Sequence, residues 1–181
     1  MKIKVLFFFL LCTVFQVNAQ DRVALDTIPM AEVYMENELV YRYADDQRFT
    51  GISQSKRKNG HLTYEGEYQD GVILVDYQYY NGIQKVLSHK TLYNRYKPWI
   101  REKEYFYGSK GKWNQTTYFD ENGKKKLVEQ HKKDGRLYYS CTYVDGKKHG
   151  KEICFEADGS QIVDEFMKGK KVKKKKNSVQ K

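Results

Sequence analysis

The chain has 181 residues, room for one domain that is at most slightly elongated. Its 33 Lys and Arg outnumber 23 Asp and Glu, but eight lysines lie in residues 168–181 and two more, Lys2 and Lys4, at the start; without those ten the body is neutral. A nucleic-acid binder is expected to carry its charge on a folded face, so this distribution argues against nucleic acid as a partner.

In chain order, residues 1–19 read as a signal peptide. Lys2 and Lys4 form a basic n-region, Val5 to Phe15 is an uncharged apolar run, and Val17-Asn18-Ala19 leads into a cleavage site between Ala19 and Gln20. The run is shorter than the about 20 residues a spanning helix needs, although an uncleaved anchor is the competing reading. Cys12 follows Leu10-Leu11 instead of a small residue, which argues against a lipoprotein site. The product is therefore expected to be exported: periplasmic, outer-surface or secreted. Residues 20–36 read as an N-terminal linker.

From residue 37 the chain repeats. Turn signals recur at Asn59-Gly60, Asp70-Gly71, Asn81-Gly82, Asn122-Gly123, Asp134-Gly135, Asp145-Gly146 and Asp158-Gly159, and Lys168-Gly169 closes the series. The glycines are 11 and 11 residues apart in the first cluster, then 12, 11, 13 and 10 apart from Gly123. Asn-Gly and Asp-Gly suit turns that need positive φ and are the strongest short-range hairpin signal. The most regular unit adds a second glycine, Gly150, between Tyr143 and Phe155. Residues 83–120 interrupt the regularity with Pro98-Trp99 and a Gly108-Ser109-Lys110-Gly111 turn, and read as degenerate repeats carrying an irregular loop.

Sixteen tyrosines and two prolines suit strands, and a turn every 11 or 12 residues leaves about 6 to 8 residues per strand. The predicted fold is all-β: antiparallel hairpins side by side in an elongated, twisted open sheet over residues 37–170. A single layer buries little aliphatic core, and tyrosine suits it because the ring packs while the hydroxyl stays wet. Tyr77, Tyr79, Tyr118, Tyr139 and Tyr143 are the candidate partner-binding aromatics; the competing reading makes them structural ladders.

Catalytic chemistry finds no foothold. His61, His89, His131 and His149 lack metal-ligand spacing, with His149 expected in a solvated turn. No nucleophile elbow, zinc-protease helix, P-loop or dinucleotide fingerprint occurs. Asp45-Asp46 and Asp164-Glu165 are adjacent, so on a strand they would point to opposite faces. Neither enzyme activity nor a cofactor or metal is expected.

Cys141 and Cys154 flank the most regular hairpin. If its loop is Gly146 to His149, they stand directly opposite and approach disulfide geometry; two packed free thiols is the other reading. Residues 171–181 form a Lys-rich tail expected to be disordered. It serves either as a solubilising end or as a weak contact to an anionic membrane surface, worth about 1 kcal/mol per lysine.

The stretch Tyr143-Val144-Asp145-Gly146-Lys147-Lys148-His149-Gly150-Lys151 resembles a MORN repeat in its bacterial variant form. Leu39-Val40-Tyr41, Arg48-Phe49-Thr50-Gly51 and Asn59-Gly60 are similar to the opening of the YwqK-family antitoxin proteins. The resemblance spans residues 37–170 and lapses between Ile83 and Tyr118. It implies a protein that binds a partner protein, a toxin in an antitoxin or immunity role, and neutralises it by occlusion. The alternative is a structural envelope protein adhering to membrane or wall polymers through its sheet and basic tail.

Overall fold

A computed structural model describes residues 25–172; the signal segment with Ala19 and Gln20, and tail residues 173–181, lie outside the described residues. The strands are β1 (Thr27–Pro29), β2 (Val33–Glu36), β3 (Leu39–Arg42), β4 (Gly51–Lys56), β5 (Leu62–Gln69), β6 (Val72–Tyr79) and β7 (Leu87–Tyr93). They continue with β8 (Arg101–Tyr107), β9 (Trp113–Phe119), β10 (Lys125–His131), β11 (Leu137–Val144), β12 (Lys147–Phe155), β13 (Gln161–Met167) and β14 (Lys170–Lys171). A single 3-10 turn, Met30–Glu32, joins β1 to β2.

From β4 to β14 every strand pairs antiparallel with the next, and β1 adds in parallel to β4. The result is one open, all-β sheet of twelve strands, with β2 and β3 as a separate hairpin. Both edges end in very short strands, three residues in β1 and two in β14, which limits edge-to-edge pairing.

Two turn types recur between the strands. Asp70-Gly71, Asp145-Gly146 and Lys168-Gly169 have positive φ at both residues, the two-residue turn whose twist matches a hairpin. Asn37-Glu38 is a turn of the same kind, 80–86 and 94–100 are seven-residue loops, and the remaining hairpins of the long sheet close five-residue loops. Arg57 N–H donates to His61 O and Gly60 N–H to Arg57 O, and the same pair of bonds recurs at 108–112, 120–124, 132–136 and 156–160. Asn59, Asp120, Asp134 and Asp158 brace their loops by accepting a backbone N–H two residues on.

Three expectations need correction. Residues 27–36, read as linker, carry β1 and β2, because the β4 edge offers a free ladder and β2 pairs with β3. Gly82 lies in a longer loop, 80–86, and does not adopt positive φ. Gly150 is inside β12 and not in a turn: its positive φ marks the irregular stretch where β11 and β12 lose register between Cys141 and Tyr143.

The apolar core sits at the N-terminal end. Val40, Phe49, Tyr68 and Ile73 are buried together, with Ile28, Val33, Tyr93 and Trp99 packed against them. The β2–β3 hairpin thus covers the face of β5 and β6 that carries Tyr68 and Ile73. It is also tied by main-chain bonds: Val40 N–H donates to Gly71 O at 2.8 Å, and Val40 O accepts the Phe49 N–H at 2.9 Å. Farther along the same face, large side chains lean over a central row of small ones. Tyr68 covers Gly66, where a Cβ would stand 2.7–2.9 Å from the ring and hydroxyl.

The irregular loop 94–100 now has a purpose. Asn94 Oδ1 accepts the N–H groups of Tyr96 and Lys97, which turns the chain so that the Trp99 indole N–H donates to Glu38 O at 2.8 Å. The departure from the repeat is a clasp on the N-terminal hairpin. Trp99→Phe keeps most of the packing and loses that bond. Chemical denaturation should show a loss of about 0.5–1.5 kcal/mol, with faster hydrogen exchange in 33–42.

Candidate binding face

Paired residues in a ladder project to one side, so register assigns each side chain a face. The row Gln54, Glu65, Tyr77, Lys90, Tyr105, Thr116 and Glu129 runs across seven strands on the side away from the N-terminal hairpin. Glu67, Lys103 and Tyr118 share it. No second layer covers this open face among the described residues. Tyr139 is adjacent to Ser140, which continues the open-face row, so Tyr139 points the other way, and Tyr143 goes with it. The five candidate tyrosines therefore divide: Tyr77, Tyr79 and Tyr118 lie on the open face, Tyr139 and Tyr143 on the opposite side, the one that carries the N-terminal hairpin at its far end.

Their hydroxyls are not left to water. Tyr77 donates to Glu67 Oε1 at 3.1 Å, Tyr118 to Glu129 Oε2 at 3.0 Å, Tyr139 to Glu152 Oε1 at 2.7 Å, and Tyr79 to Glu65. Lysines lie over the rings: Lys90 over Tyr77 at 5.4 Å, Lys85 over Tyr79 at 4.8 Å, and Lys103 between Tyr105 and Tyr118 at 4.9 and 4.7 Å. Tyr143 lies under Lys125 at 5.1 Å.

Burial, reinforced by Glu67, pushes the Tyr77 phenol up to about 12. Burial with the neighbouring carboxylate likewise raises Tyr79, Tyr118 and Tyr139, and burial raises Tyr143. All five stay neutral donors near pH 7. The open face is a half-buried grid of tyrosine, lysine and glutamate, broad and without a deep cleft. Such a surface can bind a partner by area and by charge pattern.

Glu65 is its most connected acid. Burial raises its carboxyl, but Lys85 at 2.8 Å, Tyr79 and Gln54 together outweigh that and hold it below the ordinary value. A lowered folded-state pKa stabilises the fold above the unfolded value of about 4.3, and that contribution is lost as pH falls below it. Glu65→Gln should leave a shallower loss of stability between about pH 5 and 3 than the parent chain shows, measured as urea midpoint against pH.

The cysteines do not meet as expected. Cys154 stands opposite Tyr139 and Cys141 opposite Glu152, because the turn is the two-residue Asp145-Gly146 pair and the register shift between Cys141 and Tyr143 recovers only part of that offset. The two are diagonal neighbours, about 7–8 Å apart, beyond disulfide reach. Both thiols are free, and Cys141 is buried.

His149 lies in β12 and not in a turn, with its carbonyl accepting the Thr142 hydroxyl. His61 contacts Asn59, His89 packs edge-on to Phe106 at 4.6 Å, and His131 lies 4.2 Å from Trp113. Among the described residues no three His, Cys, Asp or Glu gather as metal ligands. The recesses are shallow, one of about 470 Å³ beside Thr27–Ala31 and another of about 440 Å³ beside Trp113.

Sequence reading missed the tyrosine–carboxylate pairing, although it left a trace. The paired residues are 10, 14, 11 and 13 positions apart, close to one strand plus one turn.

Fold and face together define a single-layer hairpin array whose second layer, the β2–β3 hairpin, covers one side at the N-terminal end alone among the described residues. No protein-family model matches the chain, and no curated protein matches it in sequence. Among solved structures it is similar to a chain of a GtfA/B complex bound to UDP and GlcNAc, at 10% identity and a TM-score of 0.48. That similarity covers 65% of this chain and 24% of the other, and no functional argument rests on it.

Proposed function

We propose that this chain is an exported, non-enzymatic binding protein that engages a partner protein through the open face of its sheet. The supporting observation is the uncovered ladder of Tyr77, Lys90, Tyr105, Tyr118 and Glu129, half-buried side chains already held in place by their neighbours. Little side-chain order remains to be lost on docking, which favours a rigid protein–protein contact. The resemblance to MORN-repeat antitoxins makes occlusion of a toxin, in an immunity role, the specific form of this reading.

The test is capture by tagged protein, residues 20–181, from an envelope extract at low and high salt, alongside Tyr105→Ala/Lys90→Glu. One stoichiometric partner retained at high salt and lost with the double variant supports the proposal. Association that is salt-labile, insensitive to the variant and abolished by removing residues 168–181 overturns it in favour of a structural protein adhering through its basic tail.

A further inference from the structure

In a hairpin array, alternate turns fall on opposite ends of the sheet. One end collects the turns 57–61, 80–86, 108–112, 132–136 and 156–160; the other collects 70–71, 94–100, 120–124, 145–146 and 168–169. This sorting separates charge that appears neutral along the chain. The second end carries four basic and four acidic residues. The first four turns of the first end carry eight basic residues and one acid, Asp134, and only the last turn there is acidic.

Two of those eight are neutralised, Lys85 by Glu65 at 2.8 Å and Arg136 by Asp134 at 2.7 Å. Arg57, Lys58, Lys110, Lys112, Lys132 and Lys133 form no ion pair among the described residues. Neighbouring turns on one end are two strand widths apart, about 9–10 Å. The unpaired cations therefore lie along one line, at turns 57–61, 108–112 and 132–136, with turn 80–86 between them contributing the paired Lys85, an arrangement suited to a ligand whose negative charges also recur along a line.

Between turns 108–112 and 132–136 lies the groove of about 440 Å³. Trp113 and His131 line it, rings 4.2 Å apart and tilted by 32°. The Trp113 indole N–H is held by Gln115 O and Thr116 Oγ1, both at 3.0 Å, so the ring is fixed in orientation. Lys110, Lys112, Lys133 and Asn114 complete the lining. A fixed aromatic ring flanked by cations and an amide suits a sugar ring: C–H groups meet the aromatic surface, hydroxyls the amide, and an acidic substituent the lysines.

We propose that this end of the sheet binds a linear acidic polysaccharide, with one anionic sugar seated at Trp113 and its neighbours paired to the cations of the two turns that flank the groove. A single-stranded nucleic acid fits less well, since it needs aromatic platforms at successive bases, whereas Trp113 is packed against His131 in a groove between two turns. A lipid surface would not fill a groove. The groove borders the tyrosine face, since Thr116 of that row holds Trp113, but the two readings rest on different residues, Lys110 and Lys133 here against Lys90 and Tyr105 there, so either can fail alone.

Calorimetric titration of the full chain with a defined-length oligogalacturonate tests it, with a neutral oligosaccharide of equal length, a single-stranded oligonucleotide and phosphatidylglycerol vesicles for comparison. Saturable binding of the oligogalacturonate is expected, weakening with salt. Lys110→Glu/Lys133→Glu, on exposed turns, should weaken it by about tenfold or more. Lys97→Glu/Lys124→Glu, at the opposite end, should leave it unchanged. Equal or tighter binding of the oligonucleotide or the vesicles overturns the proposal, as does equal loss from both double variants or from neither.

Discussion

Replacing Ile73 by alanine is expected to lower unfolding stability by about 2–5 kcal/mol. Ile73 is 0% exposed and forms the floor of the one aliphatic-aromatic cluster, beneath Val40, Phe49 and Tyr68. Truncation leaves a cavity that the array is poorly placed to close. On one side the backbone is held in the β5–β6 ladder, and on the other the hairpin is pinned by Val40 to Gly71. Urea denaturation should show the loss, while Ile83→Ala, at a side chain 92% exposed, should change stability by less than about 0.5 kcal/mol. Contacts run mainly between neighbouring strands, so the effect should be local. Hydrogen exchange in β4–β6 should accelerate before that in β11–β13. Uniform acceleration across the sheet would show that the array unfolds as one cooperative unit.

Gly51→Ala should cost about 2–4 kcal/mol through a different cause, overpacking on top of backbone strain. Gly51 has φ +154°, and a Cβ there would sit 2.5 Å from Asp26 O and 2.8 Å from the Phe49 ring. Asp26 O cannot simply retreat, since it accepts the Ile52 N–H at 2.7 Å where β1 joins β4. Either β1 detaches or Phe49 leaves the core. Thermal unfolding of G51A should show the loss, and exchange at Ile52 would identify detachment. Unchanged stability would mean that β1 contributes nothing to the fold.

The histidines and the candidate tyrosines are engaged in structural contacts. The four histidines have separate neighbours, and the candidate tyrosines are held protonated by burial and by the carboxylates they donate to. A neutral phenol bonded to a carboxylate is a structural tie. What the open face retains is shape and a fixed pattern of charge, the attributes on which the proposed partner binding rests.

Local chemistry was enough to determine the array. Turn pairs such as Asp70-Gly71 and Asp145-Gly146 encode positive φ directly, and tyrosine-rich stretches between them encode strands, so hairpin period and all-β class can be read without tertiary information. Tertiary structure alone decided everything that depends on register and on distant segments meeting. The two-residue turn at Asp145-Gly146 set a register that left the two thiols on a diagonal. The division of the tyrosines between two faces followed from strand parity. Trp99 reached Glu38, 61 residues away, and made a clasp of what reads as an irregular loop. The alternation of turns gathered lysines from four separate hairpins onto one end of a chain whose body is neutral in total. Turn residues carry their conformation in their own side chains. Register, faces and ends belong to the assembled sheet.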